Sequence, residues 1–231
     1  MIAALPMYDW PESRAEVDGW YAGLREKAAF LPPALTRADD LHALWRDPAL
    51  ILSQTCWGPL SLGLSAHLRV LAQPDYSDVP GGSGPFYRSA LVARQGAAMP
   101  APDHPGPALP ALAGRLAFNS RDSLSGWLAL VQDAGDPAGW ASALVETGGH
   151  RDSIRTVAEG RADLAAIDCR SWAMACRHEP CARELVVIGW TAERPGLPYV
   201  TARATDEDTA QALAAALIDM GCHSPLNGET A

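Results

Sequence analysis

The chain has 231 residues, 48% hydrophobic and 19% charged, with 18 basic against 27 acidic side chains and a formal net charge of −9. That length and apolar fraction exclude a disordered polypeptide and suit two small lobes better than one large core. An acidic balance without any run of Lys or Arg argues against a nucleic-acid or anionic-membrane surface, and no segment approaches the roughly 18 apolar residues of a membrane span.

The apolar run Ile2 to Met7 predicts a strand that stops at Tyr8-Asp9. Pro11-Glu12 opens a helix through Ala29, with Val17, Trp20, Tyr21 and Leu24 at helical spacing, and Pro32-Pro33 stops it. Asp39-Asp40 caps a short helix through Trp45, and Ala49 to Ser53 is a buried strand ending at Gln54-Thr55. Ala66 to Ala72 is a further strand. After the turn cluster Pro80 to Pro85, Phe86 to Val92 reads as one strand, and the Pro-, Ala- and Gly-rich stretch Gly96 to Pro110 as a surface loop.

Gly114 to Phe118 predicts a strand. A polar run, Asn119 to Ser123, then leads into a helix carrying Trp127, Leu128, Leu130 and Val131. Leu144 to Thr147 is strand-like, His150 to Glu159 is a helix closed by Gly160, and Asp163 to Ile167 is a buried strand ending at Asp168. Leu185 to Trp190 is a strand, and Asp206 to Met220 a helix closed by Gly221. Strands alternating with helices imply an α/β fold with mostly parallel sheets.

The five cysteines (Cys56, Cys169, Cys176, Cys181 and Cys222) form no paired framework, which suits a reducing compartment. No basic residue precedes the short apolar N-terminal stretch, so the expectation is a cytoplasmic chain, or a periplasmic one if a leader has been removed. Cys176-x-His178-x-x-Cys181 lacks the paired CxxC units of a zinc ribbon and reads as a loop with incidental thiols, so no metal and no cofactor is expected.

Ligands of parallel α/β sheets sit beyond the carboxyl ends of the strands. Here those positions hold Tyr8-Asp9, Gln54-Thr55, Asn119 to Ser125, Gly148-Gly149-His150, Asp168 and Trp190-Thr191. Ser123 and Ser125 at a helix start, beside backbone N–H groups that lack intrahelical partners, form a neutral anion cradle; Ser123 also suits ordinary N-capping. His150 can donate to an oxyanion or simply open its helix. Asp168 can accept from a protonated ligand or cap the segment that follows, and Tyr87 can line a cleft or pack. There is no nucleophile elbow, phosphate-binding Walker loop, GxGxxG or HExxH, so no catalytic residue is expected.

Four segments in order, Tyr87 to Val92, Asn119-Ser120-Arg121-Asp122-Ser123-Leu124-Ser125-Gly126, Gly148-Gly149-His150 and Glu159 to Asp168, resemble the phosphate/phosphite/phosphonate-binding family of ABC-importer substrate-binding proteins. The resemblance covers about residues 1 to 200 and is sharpest from Gly114 to Asp168. Serines of the family's Asp-Pro-x-Ser-Thr-Ser-Gly loop match Ser123 and Ser125, whereas Leu124 stands for the Thr and Ser120-Arg121 for the Asp-Pro pair. The family's pocket Tyr and His match Tyr87 and His150, and its later acid falls near Arg170, with Asp168 close by.

The resemblance implies a type 2 periplasmic-binding-protein fold, with residues 1–88 plus 190–231 as one lobe and 89–189 as the other. Chain crossings near Tyr87–Leu91 and Ile188–Thr191 would form the hinge. It further implies a small oxyanion (phosphonate, phosphite or phosphate) held by Ser123, Ser125, His150 and Asp168, with Tyr8, Gln54, Thr55 and Tyr87 completing the site, and an ABC permease as partner. An enzyme using His150 as acid or base, and a ligand sensor, are the alternatives on the same scaffold.

Overall fold

Short apolar runs without polar alternation predict strands buried on both faces. A computed structural model, which describes residues 1–96 and 114–226, places them so: every residue of Leu50–Gln54 and of Leu164–Asp168 is buried. The elements begin with β1 (Ile2–Ala4), α1 (Arg14–Lys27), α2 (Leu41–Leu44), β2 (Leu50–Gln54), α3 (Trp57–Ser61) and β3 (Leu68–Ala72). Next come β4 (Gly82–Ser83), β5 (Phe86–Tyr87), β6 (Ser89–Arg94), β7 (Arg115–Phe118), a π-helical turn (Leu124–Leu128) running into α4 (Ala129–Ala134), β8 (Ala143–Glu146), α5 (His150–Ala158) and β9 (Leu164–Asp168). The chain ends with α6 (Cys169–His178), β10 (Leu185–Trp190), β11 (Arg194–Pro195), β12 (Tyr199–Ala202) and α7 (Glu207–Asp219). Apart from Gly96, the expected loop over Gly96–Pro110 lies outside the described residues.

The chain divides into two units. Unit 1 is Met1–Asp75 with Pro195–Ala231, and unit 2 is Tyr76–Arg194. In unit 1 the strand order is β1-β2-β12-β3. β1 and β2 are parallel, but β12 runs antiparallel to both β2 and β3, so this sheet is mixed where mostly parallel pairing was expected. No sequence pattern marks Tyr199–Ala202 as a strand; it is four residues long and follows Pro195 and Pro198, which read as a loop. One face of the sheet packs Leu52, Leu71 and Tyr199 against Tyr21 and Leu24 of α1 and Leu213 and Leu217 of α7. The other packs Leu50, Leu68 and Val200 against Leu44, Trp45 and Leu60. With both faces covered, the short strands need no polar side.

Unit 2 holds a five-stranded sheet of order β10-β6-β9-β7-β8. Its strands β9, β7 and β8 are parallel, while β6 is antiparallel to β9 and to β10. The single strand expected over Phe86–Val92 is broken at Arg88, because its two halves serve different sheets: Tyr87 pairs with Gly82, whereas Ser89 begins the ladder to β9. Cys176 and His178, expected in a loop, lie in the last turns of α6; the buried positions of that helix are Cys169, Ser171, Met174 and Ala175, mostly too small or polar to announce a helix face. The expected crossings near Tyr87–Leu91 and Ile188–Thr191 fall within or beside paired strands of this unit. Leu91, Leu116, Phe118, Trp127, Leu130 and Leu164 form its core.

Candidate functional site

Three strand-to-helix junctions of unit 2 open at the carboxyl ends of the parallel strands β7, β8 and β9, which is where this architecture places ligands. They differ in how the helix start is capped. After β7, the Ser123 side chain accepts the Gly126 N–H at 3.1 Å and acts as N-cap of the π-turn. After β8, the cap position is Gly149, which has no side chain to offer the first amides of α5. After β9, the Asp168 carboxylate accepts the Ser171 N–H at 2.9 Å and caps α6. Helix-start amides carry the positive end of the backbone dipole, so this edge of the sheet favours negative charge.

The π-turn brings the two serines and the histidine together. Ser123 Oγ lies 3.3 Å from Ser125 Oγ, which lies 2.7 Å from His150 Nε2. It is Ser125, not Ser123, that meets His150. Both serines are buried, at 6% and 4% exposure. Inserting a residue into the i→i−4 ladder turns Ser125 toward α5, a local unwinding that recurs at functional sites. Loop-to-loop bonds hold the junctions in place: Gly148 N–H donates to the Asn119 carbonyl at 2.8 Å, and Thr147 Oγ1 donates to the Phe118 carbonyl at 3.0 Å. Gly148 has φ of +82°, a conformation that a side chain disfavours.

Ser89, at the start of β6, carries no signal in the sequence. Its Oγ donates to the Ser125 carbonyl at 3.0 Å, and the residue pairs with Asp168 across the sheet, so it bridges two of the junctions. Asn119 reads in the sequence as part of the polar run. Its Oδ1 is buried without a hydrogen-bond partner among the described residues and sits so close to Gly126 that a Cβ there would be 2.0 Å away. The signal for Asn119 is its place directly after β7; Ser89 has none, because it begins its strand.

Burial pushes the His150 pKa below its ordinary value, and the charge of Asp168 partly opposes that shift. The Asp168 carboxylate is itself buried. Arg121 is exposed and lies over the Trp127 ring, 4.4 Å from its centroid, beside the serine loop. Tyr87, 1% exposed, packs against Tyr76 with ring centroids 5.6 Å apart. Next to Asp168, burial and that carboxylate raise the Cys169 thiol far above its usual range, so it stays protonated. Among the described residues no group of three or more His, Cys, Asp or Glu side chains is placed to hold a metal ion.

The other three expected residues belong to unit 1. Tyr8 lies in the bend after β1. Gln54 ends β2, and its Nε2 donates to the Leu197 carbonyl at 3.0 Å. Thr55 is fully buried, its N–H donating to the Pro198 carbonyl at 3.1 Å while its Oγ1 has no partner among the described residues.

Residues 60–227 match the family described as ABC transporter, phosphonate, periplasmic substrate-binding protein. The chain belongs to that family. Members of this phosphonate-binding family are substrate-binding proteins. The solved structures that resemble it agree on the fold. PhnD1 from Prochlorococcus marinus, in complex with methylphosphonate, has a TM-score of 0.72 at 17% identity, covering 94% of this chain and 84% of that one. A binding-protein component of an ABC phosphonate transporter from Pseudomonas aeruginosa has a TM-score of 0.67 at 17% identity, covering 94% and 72%. A Xanthomonas citri protein bound to chloride ion has a TM-score of 0.66 at 15% identity, covering 98% and 92%. No curated protein sequence matches the chain. The fold of this phosphonate-binding family member is thus the type 2 periplasmic-binding-protein fold. No helix among its described residues is long and apolar enough to cross a membrane.

Proposed function

We propose that this protein binds a small phosphonate or a closely related phosphorus oxyanion and delivers it to an ABC permease. The observation that carries the reading is the hydrogen-bonded series Ser123–Ser125–His150, set beside the uncapped first amides of α5 at the carboxyl edge of the parallel strands. Hydroxyls, backbone N–H groups and an imidazole can surround the oxygens of a tetrahedral oxyanion without a buried cation. Tyr87 and Asp168 belong to the same unit and are proposed to complete the site.

The Ser125–His150 contact also has the form of a nucleophile and its base. A working base is oriented by an acceptor at its second nitrogen, however, and His150 Nδ1 has no hydrogen-bond partner among the described residues. That favours binding over turnover.

Thermal denaturation with methylphosphonate, phosphite, phosphate and sulfate tests the proposal. A ligand present at about 100 times its Kd stabilises the folded state by about 2.7 kcal/mol. Ser125→Ala is expected to weaken binding of that ligand by about 1–3 kcal/mol, the cost of removing one partner from a buried hydrogen-bonded set. Absence of any shift with all four anions would overturn the reading.

A further inference from the structure

We propose that the site takes its oxyanion together with one proton, which His150 shares with a ligand oxygen. This rests on the oxyanion reading of the same site and adds to it the protonation state in which the ligand is held.

A serine hydroxyl has one proton to give, and a neutral imidazole has one. With Nε2 of His150 bare, Ser125 gives its proton to that nitrogen across 2.7 Å, and Ser123 gives its own to Ser125 across 3.3 Å. Ser123 Oγ already accepts the Gly126 N–H. Both hydroxyl protons then point inward along the series, and the oxygens face outward as acceptors, the wrong polarity for an oxyanion. Placing a proton on Nε2 reverses the series: His150 donates to Ser125, and the hydroxyl protons are released toward a ligand. In neutral His150 that proton leaves Nδ1 bare. Nδ1 is buried without a hydrogen-bond partner among the described residues, and so is Asn119 Oδ1 in the junction loops, another buried acceptor. A ligand carrying a P–OH group, or an imidazole protonated at both nitrogens, supplies the missing hydrogen.

The charges facing α5 point the same way. Burial disfavours the protonated form of His150, and on β9 the Asp168 carboxylate partly opposes that. On α6, the neighbouring Cys169 is a neutral thiol, and Arg170 is paired with Asp78 at 2.6 Å. Arg94 of β6 and Arg115 of β7 sit at the opposite end of the sheet, on Asp163. On the far side of α5, Glu179 is held by Arg151 and Arg155. The charge that acts on His150 from these elements is therefore negative. A dianion would have to enter beside the buried Asp168 carboxylate, whereas an anion arriving with a proton would meet less repulsion there.

The test is the pH dependence of methylphosphonate binding, measured by titration calorimetry at pH values above the second dissociation of the free ligand, in two buffers of different ionisation enthalpy. Uptake of one proton per ligand bound is expected, with affinity falling about tenfold per pH unit in that range. In His150→Asn, whose fold is checked by circular dichroism, the uptake is expected to disappear. Binding with no proton uptake in the wild-type protein would overturn this inference and leave the oxyanion reading standing. Full uptake retained in His150→Asn would overturn the role given to His150. No binding of methylphosphonate, phosphite or phosphate at any pH would overturn the oxyanion reading, and this inference with it.

Discussion

At the scale of single residues, hydrogen-bond accounting separates side chains that hold the fold from those with unspent capacity. Gln54 spends its amide N–H on Leu197, and Asp168 caps α6. Gln73 does neither. It is fully buried, its backbone bridges His223, and both polar atoms of its amide lack partners among the described residues. A buried polar group left unsatisfied costs about 1–3 kcal/mol, and an apolar group of the same shape removes that cost. Gln73→Met is therefore expected to raise stability by about 1–2 kcal/mol in urea denaturation. A loss of stability would show that the amide serves a partner in solution.

At the scale of elements, the π-turn decides the site. There the helix start takes π rather than α geometry, and Ser125 within it meets His150. Gly126 is the residue that lets Asn119 approach the turn, since a Cβ there would meet Asn119 Oδ1 at 2.0 Å. Gly126→Ala is expected to displace the Asn119 loop and to weaken oxyanion binding by about tenfold or more, as measured by calorimetry. Unchanged affinity would mean that the loop adjusts without disturbing the serines. The serine loop was legible from sequence because a polar run followed a short apolar strand and preceded a helical stretch. Which serine meets His150 was not legible, because a regular helix and a π-turn set different directions for the same residue, and sequence periodicity does not distinguish a one-turn interruption.

At the scale of the whole molecule, acidity is the variable to which the charge arrangement responds. The folded state holds His150 below its ordinary pKa of about 6.5, so it disfavours the proton that the unfolded chain accepts. The stability this contributes is complete above about pH 6.5 and is lost as the pH falls below that value toward the folded one. Asp163, hydrogen-bonded to Arg115, has its pKa lowered to about 2. Its contribution is complete above the ordinary carboxylate value of about 3.9 and is lost only in stronger acid, as the pH falls toward the folded value. Wild-type protein is thus expected to lose stability between about pH 7.5 and about pH 5, and His150→Asn to lose less, in denaturant titrations at the two pH values. Equal losses would assign the acid sensitivity to other groups.

The sequence by itself determined the alternation of strands and helices, the positions of most helix starts and the family, because these depend on local patterns: apolar run length, helical spacing, capping residues and the order of motifs along the chain. Only the tertiary structure decided the rest. It made β12 a central antiparallel strand of unit 1, split Phe86–Val92 between two sheets, folded Cys169–His178 into a helix and joined Ser89, Ser125, Asp168 and His150 into one network. Those outcomes depend on which distant strands pair and which buried polar atoms find partners, and such contacts form between segments that carry no mark of each other in the linear order of residues.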